Sequence, residues 1–156
     1  MDRICTSAEF RATAELLGLP LPWLADHYDV HKQTVARWMR GKIPVPQDVS
    51  DDMRHIVHEA AKLPNTYCEL VSEETDSTPT GVLVPSDNAL YANRPGSFWR
   101  IIGLHISTRL GVRLVYYLPG LSFDKGDCPV IVCMTDGQEA RLVQLREADN
   151  DEKHQD

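Results

Sequence analysis

Apolar residues in the first part of the chain recur at helical spacing. Phe10, Ala14 and Leu17 stand at i, i+4 and i+7 behind Thr6-Ser7-Ala8-Glu9, which has the spacing of a capping box, and Gly18 suits a left-handed C-terminal cap. Leu19-Pro20-Leu21-Pro22 forces an extended link and offers Pro22 as the first residue of a second helix, from Trp23 to about His27. A third helix is predicted from about His31 to Arg40, ended by Gly41. After the extended Lys42-Ile43-Pro44-Val45-Pro46, a fourth runs from about Gln47 to Lys62, where Val49, Met53, Ile56, Val57 and Ala60 form one apolar stripe and Leu63-Pro64 ends it.

Beyond Leu63 the pattern changes. Tyr67 to Val71 and Gly81 to Pro85 read as strands on either side of a polar loop, Ser72 to Thr80. Ser86 is placed to cap a short helix through Leu90-Tyr91, and Asn93-Arg94-Pro95-Gly96 reads as a turn. Ser97 then caps the longest apolar helix, Phe98 to Leu110, closed by Gly111. Its apolar positions, Phe98, Trp99, Ile101, Ile102, Leu104, Ile106 and Leu110, are too broad for one sheet to cover. Burial on two sides is therefore expected, the second side against the rest of the chain or another subunit. Strands follow at Arg113 to Leu118, Pro129 to Met134 and Ala140 to Leu145, with Asp136-Gly137 as a hairpin signal.

These patterns divide the chain into two small domains. Residues 1–63 form an all-α domain, 64–146 an α+β domain with a sheet backed by one main helix, and 147–156 an acidic tail expected to be disordered. A length of 156 residues and a hydrophobic fraction of 42% suit folded domains. No apolar run approaches the roughly 18 residues of a membrane span, and Met1-Asp2-Arg3-Ile4-Cys5 lacks the basic and apolar regions of a signal peptide. A soluble, cytoplasmic protein with no membrane partner is expected.

Charge sharpens the picture when it is resolved along the chain. The total is −7, yet residues 1–63 carry 8 basic and 9 acidic side chains while 64–156 carry 8 and 14. Val30 to Ile43 holds Lys32, Arg37, Arg40 and Lys42 with no acid. That basic window coincides with the third predicted helix.

Two short helices joined by a tight turn need a small residue where they cross, an apolar residue after the turn and apolar anchors in the second helix. Ala25, Val30, Val35 and Trp38 meet these needs in order. Their spacing, together with Trp38-Met39-Arg40-Gly41 and Pro44-Val45-Pro46-Gln47-Asp48-Val49, resembles the helix-turn-helix of lambda-repressor/Cro-type regulators. The resemblance implies that the third helix enters a DNA major groove. His31, Lys32, Gln33 and Thr34 match the groove-facing start of that helix, Arg37 its next exposed turn, and Arg40 and Lys42 its flank towards phosphate. This chain departs from the family in the turn, where Asp29 replaces the usual Gly, and at the cap, where His31 replaces Ser or Thr.

Side-chain geometry gives these residues distinct tasks. Gln33 suits the N6/N7 edge of adenine, Arg37 the O6/N7 edge of guanine, and the Thr34 methyl a thymine methyl. Lys32, Arg40 and Lys42 would position the helix on phosphates. So few cations on an acidic body imply weak binding by one subunit, hence a homodimer on a palindromic double-stranded DNA operator with half-sites roughly 34 Å apart.

Ser97-Phe98-Trp99-Arg100-Ile101 and Val112 to Tyr117, together with the N-terminal pattern, are similar to the anti-CRISPR-associated autorepressors and related phage or mobile-element regulators. That resemblance implies a dimeric repressor. Two neighbouring readings are an excisionase or recombination accessory factor, because Val35-Ala36-Arg37-Trp38 and Gly41-Lys42-Ile43-Pro44 resemble winged-helix excisionases, and an antitoxin with a protein-binding second domain.

Catalytic chemistry is not indicated. His55 and His58 lie at i, i+3 without a third metal ligand, and His105 on an apolar helix reads as a core residue. Cys5, Cys68, Cys128 and Cys133 match no zinc template and are expected to be buried free thiols, Cys128 and Cys133 on opposite faces of one strand. There is no phosphate-cradling glycine loop or nucleophile elbow. No enzyme activity, cofactor or metal is expected.

Overall fold

The computed structural model describes residues 3–117, 126–136 and 139–145. The acidic tail, Gly137 of the hairpin signal and Leu118 of the predicted strand lie outside the described residues. The chain divides into two compact units, Met1–Ala61 and Lys62–Asp156.

The first unit is helical. Helix α1, Ser7–Leu16, opens with the capping box foreseen: the Thr6 hydroxyl accepts from Glu9 N (3.1 Å), and the Glu9 carboxylate accepts from Thr6 N (3.0 Å). Helix α2 spans Leu21–His27 and α3 Lys32–Arg40. One device ends all three. Gly18 (φ 64°), Asp29 (φ 52°) and Gly41 (φ 75°) turn left-handed, and the next amide returns to a carbonyl of the last turn: Leu19 to Ala14, Val30 to Ala25, Lys42 to Arg37. Asp29 tolerates this conformation because its short polar side chain lowers the steric cost. The aromatic residues then close the core, with Phe10 and Tyr28 both meeting Trp38 edge to face at 5.9 and 6.2 Å. Trp23 is buried, its ring stacked 4.4 Å from His27.

Helix α4 departs from the sequence reading. It runs from Gln47 to Ser72 without stopping at Pro64, so Tyr67 to Val71 is helix rather than strand. Proline inside a helix forfeits one hydrogen bond and costs ~3 kcal/mol. Here Pro64, Tyr67 and Val71 share a buried stripe at i, i+3 and i+7, and burying the two larger side chains offsets a cost of that size.

The second unit is α+β. Strand β1, Thr78–Val84, lies parallel to β4, Arg113–Tyr116, and antiparallel to β5, Ile131–Asp136, which pairs with β6, Glu139–Gln144; the order is β4-β1-β5-β6. The expected polar loop is thus shorter, since Thr78 to Thr80 belong to β1. Helix α5, Gly96–Leu110, links the parallel strands and packs on β1 and β4. A Cβ on Gly103 would stand 2.5 Å from Val84 Cγ1 and 3.0 Å from Leu114 Cδ1, so this glycine sets how closely α5 approaches the sheet.

No helix forms over Ser86 to Tyr91. Instead β2, Leu90–Tyr91, pairs with β3, Arg94–Pro95, through Ala92 (φ 48°) and Asn93 (φ 64°). Local bonds compete with the helix: the Asp87 carboxylate accepts from Ala89 N and the Tyr91 hydroxyl, while Arg100 occupies the Pro85 and Asp87 carbonyls. Ser97 therefore lies inside α5, and Pro95 is its N-cap. A Cβ on Gly96 would overlap the Asp87 carbonyl.

Burial of α5 is one-sided. Phe98, Trp99, Ile102 and Ile106 are buried, whereas Leu104 is 51% exposed. His105 shares that exposed side, correcting its assignment to the core. Tyr67 ties α4 to the far end of the sheet, donating to the Val130 carbonyl (2.5 Å), accepting from Leu145 N (3.3 Å) and meeting Cys128 Sγ at 3.1 Å. Burial pushes its hydroxyl well above the usual tyrosine range, with the Cys128 thiol adding to the effect. All four cysteines are free but half-buried, and Cys128 precedes β5 rather than sharing a strand with Cys133.

Candidate nucleic-acid interface

The sequence dictates which side of α3 faces outwards. Val35 and Trp38 are apolar, three positions apart, and fully or almost fully buried; the helical period then sends Gln33, Arg37 and Arg40, at i, i+4 and i+7, to the opposite side, where all three are exposed. His31 and Lys32 are exposed at the start of the helix, Thr34 is half-buried beside them, and Lys42 is exposed just past Gly41. All seven residues singled out in the sequence thus lie on α3 or its immediate flanks. Ala36 and Met39, half-buried, border this face and were not singled out. Of the proposed anchors, Ala25, Val35 and Trp38 are buried and Val30 is half-buried.

Partner bonds distinguish these cations from most others. Arg3 pairs with Glu9, Arg11 with Glu15 and Arg54 with Asp51. Arg100 holds loop carbonyls, Arg109 bonds Asn65, and Arg141 pairs with Glu74. Among the described residues, Lys32, Arg37, Arg40 and Lys42 have neither an ion pair nor a side-chain hydrogen bond. Sequence alone shows the absence of acids between Val30 and Ile43, but not whether an acid from elsewhere folds onto them.

The physical capacity of this face follows. An α-helix with its side chains fits a major groove about 12 Å wide, and successive turns place long polar side chains about 5.4 Å apart. Guanidinium and ammonium groups without internal acceptors can donate to phosphate oxygens or base edges. Arg37 and Arg40 also sit in the last turn of α3, where cations complement the helix dipole.

One further feature of the first unit escaped the sequence. A cleft of about 1130 Å³ lies between α1 and the first half of α4, floored by Phe10, Met53 and Ser50 and rimmed by Arg3, His55 and His58. The two histidines therefore border a concavity rather than a flat helix face. Among the described residues, no group of three or more His, Cys, Asp and Glu is placed to hold a metal ion. Nor is any described helix long and apolar enough to cross a membrane. No protein-family model matches the chain, and no curated protein shows significant similarity to it.

Proposed function

We propose that this chain is a sequence-specific DNA-binding regulator of transcription that acts as a dimeric repressor of phage, prophage or mobile-element type. The observation that carries this reading is the exposed side of α3 and its C-terminal flank, where four cations have no ion pair or side-chain hydrogen bond among the described residues of a chain of net charge −7. Helices α2 and α3 form a helix-turn-helix in this reading, with α3 as the recognition helix. Gln33 and Arg37 read adenine and guanine edges, the Thr34 methyl packs on thymine, and Lys32, Arg40 and Lys42 hold phosphates. The acidity of the remainder suppresses non-specific adhesion to phosphate and makes binding depend on base contacts and dimerisation.

Duplexes selected from random DNA by the full chain, then titrated by fluorescence anisotropy, test this reading. The Gln33→Ala/Arg37→Ala double variant is expected to bind them at least tenfold more weakly, at ~1–3 kcal/mol per good base contact. Equal affinity of the two proteins, or no binding by wild type at low salt, overturns it.

A further inference from the structure

Helical geometry gives the outward side of α3 a short residue among long ones. Val35 and Trp38 point inwards, and at about 100° per residue the direction opposite them passes between Gln33 and Arg40, with Arg37 about 50° to one side and Ala36 about 50° to the other. Ala36 therefore stands as near the centre of that side as Arg37 does. Thr34, the other residue here with a methyl to offer, lies about 110° away, towards the buried side.

The neighbours of Ala36 on the helix surface are the residues three and four positions away, Lys32, Gln33, Met39 and Arg40. Lys32, Gln33 and Arg40 are exposed, whereas Ala36 and Met39 are half-buried. A methyl group thus stands at the bottom of a shallow recess walled by four long side chains. Those walls can spread to base edges and phosphates, but a methyl has no hydrogen bond to give. It can let the helix come close to a surface and offer that surface an apolar contact. In a major groove, the apolar group presented by a base is the C5-methyl of thymine.

We propose that Ala36 is a specificity-determining residue of α3: it marks the closest approach of the helix to the base edges, and its methyl packs against the C5-methyl of a thymine beside the bases that Gln33 and Arg37 read. This inference rests on the DNA-binding reading of α3 and adds to it a thymine contact distinct from that of Thr34. Loss of one buried methyl corresponds to about three- to fivefold in affinity. A large side chain at position 36 would hold the helix away from the groove floor.

Replacing each thymine of a selected duplex singly by deoxyuridine removes the methyl and leaves every hydrogen-bonding edge unchanged. The duplex is one selected from random DNA by the full chain, and dissociation constants are measured for wild type, Ala36→Gly, Ala36→Ser, Ala36→Leu, Thr34→Ser and Gln33→Ala/Arg37→Ala. Wild type is expected to lose about three- to fivefold at one thymine of each half-site. Ala36→Gly and Ala36→Ser should bind the thymine and deoxyuridine forms of that position equally, a ratio that a general loss of helix propensity leaves untouched. Thr34→Ser should keep the loss there. Ala36→Leu should weaken binding to every duplex at an unchanged melting temperature. A wild type indifferent to every replacement, a selected half-site without thymine, a loss that survives in both Ala36→Gly and Ala36→Ser, or wild-type affinity in Ala36→Leu overturns the role of Ala36. Weakening by Gln33→Ala/Arg37→Ala in the same assay supports the reading of α3 even then, and failure of wild type to bind any duplex at low salt overturns both.

Discussion

Replacing Gly103 with alanine sets two effects of known sign against each other. An added methyl improves intrinsic helix propensity by about 1 kcal/mol, so if nothing else mattered α5 would gain stability. The same methyl would lie 2.5 Å from Val84 Cγ1 and 3.0 Å from Leu114 Cδ1. Val84 is fully buried, and its β-branched side chain has few rotamers in which to retreat. Overpacking of this kind costs about 1–3 kcal/mol, and the contact with a stiff side chain puts it at the upper end. The net expectation is a second unit less stable by ~1–2 kcal/mol. A site-specific reporter is available in the Trp99 indole N–H, which donates to the Tyr91 carbonyl at 2.7 Å within that unit. Its NMR signal followed through a urea titration gives the midpoint for this unit without interference from Trp23 and Trp38. Combining Gly103→Ala with Val84→Ala should cost less than the sum of the single changes, because the methyl then enters vacated space. A midpoint that rises for Gly103→Ala would refute the argument that this close approach limits the packing of α5 on the sheet.

Other expectations follow from single contacts. Tyr67→Phe removes the acceptor for Leu145 N and the donor for the Val130 carbonyl, and should destabilise the second unit by ~1–3 kcal/mol in chemical denaturation; an unchanged midpoint would show that these bonds contribute nothing net. Asp29→Gly should stabilise the first unit by up to about 1 kcal/mol, whereas Asp29→Val should destabilise it by at least as much, because a β-branched residue fits φ 52° poorly. The backbone bond from Thr6 and the Thr6 hydroxyl hold the exposed Glu9 carboxyl below its ordinary value of 4.5. Its stabilising contribution is therefore present above that value and lost as pH falls through the lower folded value; Thr6→Ala should shrink this acid-side loss in a series of denaturation curves.

The first unit was more legible in the sequence than the second because its signals act locally. A capping box needs four consecutive residues, and a left-handed helix end needs a glycine or an aspartate in place; Thr6-Ser7-Ala8-Glu9, Gly18, Asp29 and Gly41 supply them. The exposed face of α3 followed from period alone once Val35 and Trp38 were assigned inwards. Where distant partners decide, the reading failed. Pro64 ordinarily ends a helix, but α4 continues through it with Tyr67 and Val71 buried, contacts to residues far along the chain that offset the cost of the proline. Ser86 and Ser97 resemble caps, but Arg100, fifteen residues after Pro85, takes the carbonyls that a local helix would use. His105 looks like a core residue in a broad apolar helix, yet its side of α5 is exposed. That Lys32, Arg37, Arg40 and Lys42 have no ion pair among the described residues belongs to the same class, since it depends on which acids distant in sequence fold near them.

The central claim is that α3 reads bases as well as holding phosphate. Its most direct test is the ratio of dissociation constants for a selected duplex and a scrambled duplex of the same composition, measured for wild type, Gln33→Ala/Arg37→Ala and Lys42→Ala across a salt series. The double variant is expected to lose most of the ratio. Lys42→Ala should keep the ratio, weaken both duplexes alike and lower the salt slope by about one. A double variant that discriminates as well as wild type, or a wild type with no preference between the duplexes, would contradict it.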